Sequence, residues 1–346
     1  MQIEEEKALA PFTTFGIGGR ARWFVEARTE AEIVEAAAWA HERKVPLFVL
    51  GGGSNVLIAD AGFDGLVLHV AMKGIKQQDL GDDQVLFCAA AGEDWEHFVR
   101  HATERGCAGV ECLAGIPGTV GGTPVQNVGA YGQEVSSVIE RVRMFDLRER
   151  RVEEFDAGRC GFSYRRSRFN TVDAGRFVVL RVDYRLKRGG EPVLKYPDLQ
   201  KAFAPDARPS LIEVADAVRR VRQTKGMLLT DCDPDCRSAG SFFKNPIVHE
   251  DQADQIGFAA GRKPPQFAAG GEGRVKVPAA WLIEQAGFGR GFAMGPAGIS
   301  TKHTLALVNR GGATASEMLG LAAVIRSAVE KKFGVVLEAE PVLVGF

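Results

Sequence analysis

The sequence predicts a mixed α+β fold, and three observations carry that expectation. Val45 to Leu50 is a continuous apolar run of strand length that ends abruptly in Gly51-Gly52-Gly53. Thr29 with Glu32, Ser210 with Glu213 and Thr314 with Glu317 each show the spacing of a helix capping box, followed by apolar residues at helical intervals. Leu180, Val182, Tyr184 and Leu186 alternate with Arg181, Asp183 and Arg185, the period of a half-buried strand.

Taken in order, the first capping box predicts a helix to about Arg43 with Ile33, Ala37 and Ala40 on one face. Gly65 to Val70 and Gln84 to Ala91 read as strands, and Asp94 to Arg105 as a helix whose apolar face is Trp95, Phe98, Val99 and Ala102. A strand-like pattern runs from Val138 to Leu186. Lys187 to Pro209 turns polar and proline-bearing, which suggests a domain boundary. The second box opens a helix to about Lys225, with Leu211, Val214, Val218 and Val221 inward. Its basic end (Arg219, Arg220, Arg222, Lys225) suits either a solvated face or a phosphate. Helices are expected at Ala279 to Gln285 and at Ser316 to Phe333, the latter closed by Gly334, before a last strand from Val335 to Val344.

Composition narrows the function classes. With 346 residues the chain can form two or three domains, and 45% hydrophobic against 25% charged residues is ordinary for a soluble protein. A net charge of −1 favours neither a nucleic-acid nor a membrane-surface partner. The acidic start MQIEEEKALAPF lacks the basic and apolar regions of a secretory signal. The six cysteines are scattered, as expected of reduced thiols, so a cytoplasmic location is expected. Cys232 and Cys236 lack a second Cys or His pair nearby, so no metal site is expected and an exposed acidic loop is the plain reading of TDCDPDC.

Ala114 to Gly132 holds six glycines and two prolines, too many breakers for a long helix. Such a stretch can bring bare backbone N–H groups close to a large anion, as a pyrophosphate requires. The triple glycine after the strand is a second candidate of the same kind. It is neither a Walker loop, since no Gly-Lys-Ser/Thr follows, nor the dinucleotide fingerprint, since Val56 stands where the third glycine belongs. Three further segments could do chemistry: GFSYRRS at 161–167, GSFFKNP at 240–246, and Glu340 near the end. Alone, each also suits a surface arginine, a turn serine and a solvated glutamate.

Together these segments resemble the UDP-N-acetylenolpyruvoylglucosamine reductase family. The likeness runs nearly the whole chain in order: TFGIGG at 14–19, LGGGSNVL at 50–57, AGIPGTVGGTPVQNVGAYG at 114–132, FSYRRS at 162–167, KYPDL at 195–199, RQTK at 222–225, GSFFKNP at 240–246 and LEAEP at 337–341. The resemblance implies a two-subdomain FAD-binding fold of the vanillyl-alcohol-oxidase-like type plus a C-terminal α+β substrate domain. Expected limits are 1–72, 73–208 and 209–346, with the last strand able to pack back on the N-terminal part. It implies FAD held non-covalently by Gly51, Gly52, Gly53, Ser54 and Asn55, and by Gly115, Ile116, Pro117, Gly118, Gly121, Gly122, Thr123, Val128, Gly129 and Tyr131. NADPH would be the co-substrate and the enolpyruvyl ether of UDP-N-acetylglucosamine the substrate.

Matched position by position, Ser241 is the implied proton donor, and Arg165 and Glu340 flank the substrate carboxyl and enolic oxygen. Tyr164, Tyr196, Lys225 and Asn245 are implied substrate contacts, Tyr196 belonging to the loop that marks one of two family classes. A monomer is expected. The segment Met227 to Arg237 matches no family motif. An oxidase on the same flavin fold would carry a His or Cys for covalent flavin near the glycine loops, and Leu50 precedes the triple glycine here. A non-catalytic flavin binder would have lost Arg165, Ser241 or Glu340, and all three are present.

Overall fold

The computed structural model describes residues 1–230, 233–269 and 271–346. The chain falls into two compact units. The first comprises Met1–Lys7, Ala21–Gly53 and Asp64–Gln223, and the second Ala8–Arg20, Ser54–Phe63 and Thr224–Phe346.

Two sheets organise the first unit. One has the order Glu4–Ala8, Arg20–Ala27, Phe63–Val70, Leu47–Leu50, and its last two strands are parallel, Leu50 lying beside His69. The other is antiparallel, in the order Arg151–Asp156, Ile139–Asp146, Phe177–Arg188, Gln84–Ala90, Ile75–Gly81, with Cys107–Ala108 added to the long strand. The strand-like stretch from Val138 to Leu186 is thus three strands, and the 20 residues from 157 to 176 form a loop between two of them. Alternation holds only in part on the long strand: Leu180, Val182, Tyr184 and Leu186 are buried and Arg185 is exposed, but Asp183 is buried as well, paired with Arg181 at 2.6 Å.

The helix Glu30–Glu42 starts at a complete capping box, Thr29 and Glu32 each satisfying the other's backbone amide, worth about 1 kcal/mol. The helix Trp95–Glu104, capped by Asp94, buries Trp95, Phe98, Val99 and Ala102. Trp95 stacks on Phe98 at 5.3 Å and Phe98 lies 4.6 Å from Tyr184, centroid to centroid, so helix and long strand share one aromatic core. Each such ring contributes about 1.5–3 kcal/mol by leaving water.

In the second unit the helix Ala315–Phe333 runs from the Thr314–Glu317 box to Gly334 in the left-handed region at φ 65°. It buries Met318, Leu321, Ile325 and Val329. The Asp60 carboxylate, far away in sequence, accepts the amides of Ala315 and Ser316 at 2.7 and 3.0 Å. Two three-stranded sheets and the helices Glu250–Ala260 and Ala279–Gln285 complete the unit. The expected last strand is short: Val342–Val344 pairs parallel to Val56–Ile58, and Ala339 before it makes an isolated bridge to Phe243.

Candidate functional site

In the first unit, the two glycine turns touch. A Cβ on residue 52 would stand 2.6 Å from the Cα of Gly118 and 3.0 Å from the Thr119 nitrogen, and one on residue 51 would stand 3.0 Å from the Thr119 hydroxyl oxygen. Glycine at 52 is therefore needed for the approach itself. Among the described residues, the amides of Gly51, Gly52 and Gly53 and of Ile116, Gly118 and Thr119 find no acceptor in the protein.

The rest of the stretch is different. Gly121 donates to Ala91 at 2.8 Å, Gly122 to Thr119 at 3.0 Å and Val128 to Thr123 at 3.0 Å. Gly121 is glycine because a Cβ would lie 2.7 Å from that of Ala91. Thr123 donates its hydroxyl to Val120 at 2.8 Å and so accepts from Tyr184 at 2.7 Å, which anchors the turn to the long strand. The anion-facing donors thus concentrate at 51–53 and 116–119. Two touching turns of bare amides, with no carboxylate side chain in either segment, fit the pyrophosphate of a dinucleotide cofactor.

Gly115, at φ 70°, is held on both sides. Its amide donates to Glu96 Oε2 at 2.6 Å and its carbonyl accepts from Arg222 Nε at 2.9 Å. Arg222 is buried, so this part of the helix's basic end is not a solvated face.

Tyr164 and Arg165 form the tip of a two-residue turn. Ser163 and Arg166 exchange backbone hydrogen bonds at 2.9 and 3.0 Å, and Arg165 takes φ 55°. Arg165 Nη2 donates to Gly129 O at 2.6 Å, and Asn127 Nδ2 donates to Ser163 O at 3.1 Å. Its guanidinium carbon lies 5.3 Å from the Tyr164 ring centroid. Tyr196 meets Tyr131 edge to face at 5.3 Å. Arg165, Tyr164 and Tyr196 are therefore all gathered on the C-terminal half of the glycine stretch.

In the second unit, GSFFKNP and LEAEP lie alongside each other. Glu340 donates its amide to Phe242 O at 2.8 Å, Lys244 donates to Glu338 O at 3.0 Å, and Phe243 is bridged antiparallel to Ala339. Glu340 is thus opposite Phe242, the residue that follows Ser241. Asn55 fastens the same segment, its Nδ2 donating to Glu340 O at 3.2 Å and its carbonyl accepting from Val342 at 2.9 Å. Asn245 Oδ1 accepts the Ala279 amide at 2.9 Å, at the start of the helix Ala279–Gln285. Lys225 lies near His303, whose imidazole is pushed down to about 4 by burial and then by that lysine.

Comparison with known proteins decides the family. Residues 233–344 match the model of the UDP-N-acetylenolpyruvoylglucosamine reductase C-terminal domain, and residues 21–153 match an FAD binding domain. A Streptomyces coelicolor UDP-N-acetylenolpyruvoylglucosamine reductase is 46% identical over 100% of this chain and 91% of its own length. The Thermobifida fusca enzyme is 43% identical over 97% and 96%. The chain belongs to the UDP-N-acetylenolpyruvoylglucosamine reductase family. The Thermus caldophilus reductase has a similar fold, with a TM-score of 0.66 at 25% identity, over 99% of this chain and 98% of that one. The expected FAD-binding fold, FAD as cofactor and an oxidoreductase activity follow from membership of this reductase family.

One expectation is corrected. The acidic loop of this reductase is not solvated at its described carboxylates, although Pro234 is exposed. Asp233 and Asp235 are buried, Asp235 Oδ2 accepting from Ser300 Oγ, Thr301 N and Thr301 Oγ1 at 3.0, 2.8 and 2.6 Å, and Asp233 pairing with Lys302 at 2.8 Å. A buried carboxylate needs such partners, and they sit some 65 residues away. Cys232 lies outside the described residues. Among the described residues there is no cluster of metal-ligating side chains, and no helix is long and apolar enough to cross a membrane. Sequence reading missed Glu96 and left Arg222 undecided, because their partner Gly115 is distant in sequence.

Proposed function

We propose that this reductase converts the enolpyruvyl ether of UDP-N-acetylglucosamine to UDP-N-acetylmuramate with Arg165, Ser241 and Glu340 as its catalytic groups. The overall reaction, NADPH-dependent and part of peptidoglycan synthesis, is that of its family. FAD, when bound, accepts the hydride of NADPH and supplies one to the enolpyruvyl double bond. The chain's own groups do the rest.

The amides of 51–53 and of Ile116, Gly118 and Thr119 would hold the FAD pyrophosphate, with Ser54, Asn55 and the remainder of the 115–131 stretch around them. Arg165 would hold the substrate carboxylate. One of its nitrogens donates to Gly129, and a planar guanidinium suits a carboxylate whose charge grows during reduction. Ser241 would give its proton to the α-carbon. A serine hydroxyl is a weak acid, so it needs help. The observation that carries the assignment is the backbone pairing that brings the segments of Ser241 and Glu340 together, with Glu340 opposite Phe242. Tyr164, Tyr196, Lys225 and Asn245 would hold the sugar nucleotide, Lys225 also suiting the NADPH phosphates.

The division of labour we favour gives residues 1–72 and 73–208 to the flavin and 209–346 to the sugar nucleotide, in a cytoplasmic monomer. Purified protein loaded with FAD should oxidise NADPH when the enolpyruvyl sugar nucleotide is added and only slowly without it. Equal rates with and without it would refute the substrate assignment.

A further inference from the structure

Gly115 opens the flavin turn, and both of its polar backbone groups are taken by charged side chains. Glu96 divides its carboxylate: Oε2 accepts the Gly115 amide at 2.6 Å, while Oε1 accepts Arg219 Nε at 2.6 Å and Arg100 Nε at 2.9 Å. On the other side Arg222 Nε donates to the Gly115 carbonyl at 2.9 Å. The same guanidinium also meets the side chain of Tyr131, at the far end of the glycine stretch. One buried cation thus ties residue 115 to residue 131.

We propose that Arg222 and Glu96 are positioning residues for the cofactor: they hold Gly115 in its left-handed conformation and so present the amides of Ile116, Gly118 and Thr119 to the FAD pyrophosphate. The inference rests on the reading that the glycine turns hold FAD. Three physical points support it. A residue gripped at both its N–H and its C=O cannot turn about φ or ψ without breaking a charged hydrogen bond on one side, and such bonds are roughly twice as strong as neutral ones. The grip falls on the residue before the free amides, where a change of ψ would swing Ile116 and all that follows. The local charge is also right. Arg100, Arg219 and Arg222 outnumber Glu96 and Asp216, which pairs with Arg219 at 2.6 Å, and Arg219 Nη2 is buried without an acceptor. An anion at the turn would be met by one net positive charge from behind.

The test is FAD binding by apoprotein, followed by flavin fluorescence, for wild type, Arg222→Met, Arg222→Lys, Glu96→Gln and Gly115→Ala. Arg222→Met should raise the Kd for FAD roughly tenfold or more, as expected for a lost charged hydrogen bond. Arg222→Lys keeps the charge without the fork that reaches both Gly115 and Tyr131, and should recover part of the loss. Glu96→Gln loosens the hold on the Gly115 amide from a partly exposed position and serves if Arg222→Met fails to fold. Gly115→Ala strains the same φ, so its effect should not add to that of Arg222→Met. Hydrogen exchange at Ile116 in the apoprotein should quicken in Arg222→Met and Glu96→Gln. Wild type that fails to bind FAD would sink the cofactor reading. Wild type that binds FAD while folded Arg222→Met and Glu96→Gln bind it equally well would overturn the positioning role alone. A lower melting temperature with unchanged FAD affinity would do the same.

Discussion

Glu340 donates its amide to the carbonyl of Phe242 at 2.8 Å, which makes it the cross-strand partner of the residue that follows Ser241. The contact joins two segments about 100 residues apart, and it is reinforced by the Lys244–Glu338 backbone bond and the Phe243–Ala339 bridge.

Ser241→Ala should leave flavin reduction by NADPH near wild type and slow product formation by roughly 10²–10⁴-fold, the usual contribution of a positioned acid. Glu340→Gln should follow the same pattern, and the two losses should not add. Single-turnover measurements with each substrate separate the halves. Equal loss in both halves would remove Ser241 from the proton-donor role.

Arg165→Lys should keep flavin reduction and cost about 10²-fold in the reduction of the enolpyruvyl substrate. Lysine retains charge but cannot bond Gly129 and a carboxylate with one planar fork. Rapid-quench assays of product would show it, and a change confined to NADPH affinity would speak against the role.

Gly52→Ala should drive the two glycine turns apart, because its Cβ would lie 2.6 Å from Gly118 Cα. We expect about 1–3 kcal/mol of lost stability together with weaker FAD binding. Gly320→Ala, in the helix Ala315–Phe333, is the control, since nothing lies within 4 Å of its Cβ position. Thermal melts and FAD titrations of both proteins check it.

Stability should fall on mild acidification through His303. Burial, with Lys225 and Arg290 adding to it and Glu284 opposing, pushes this histidine from 6.5 to about 4. Above 6.5 neither state is protonated there. Between 6.5 and about 4 the unfolded chain binds a proton that the folded chain declines, so stability rises with pH across that window, by about 3 kcal/mol in all. Below about 4 the contribution is constant. Nδ1 of His303 accepts the Leu305 amide at 3.1 Å, a bond that His303→Gln can imitate without titrating. Urea unfolding from pH 4.5 to 7 should show a shallower slope for that variant; parallel curves would contradict the assignment.

Local signals carried much of the fold into the sequence. The capping boxes at Thr29, Ser210 and Thr314 stand where their spacing put them, each with its reciprocal hydrogen bonds. The apolar run before Gly51 is the strand Leu47–Leu50. What the sequence hid depends on distant partners. The buried Asp235 reads as solvated until Ser300 and Thr301 are brought to it. Arg222 at a basic helix end reads as surface until Gly115, 107 positions earlier, accepts from it. The helix Glu250–Ala260 went unread because its apolar residues do not mark one face: Ile256 is buried and Phe258 is 93% exposed. Glycine content marked the flavin stretch as a whole, but not which of its amides are bonded internally and which face a ligand.

Anaerobic stopped-flow absorbance of the FAD-loaded protein tests the central claim most directly. NADPH alone should bleach the flavin band, and the enolpyruvyl sugar nucleotide added next should restore it while UDP-N-acetylmuramate forms. A flavin that NADPH reduces but the sugar nucleotide cannot reoxidise, or a protein that takes up no FAD, would contradict the account.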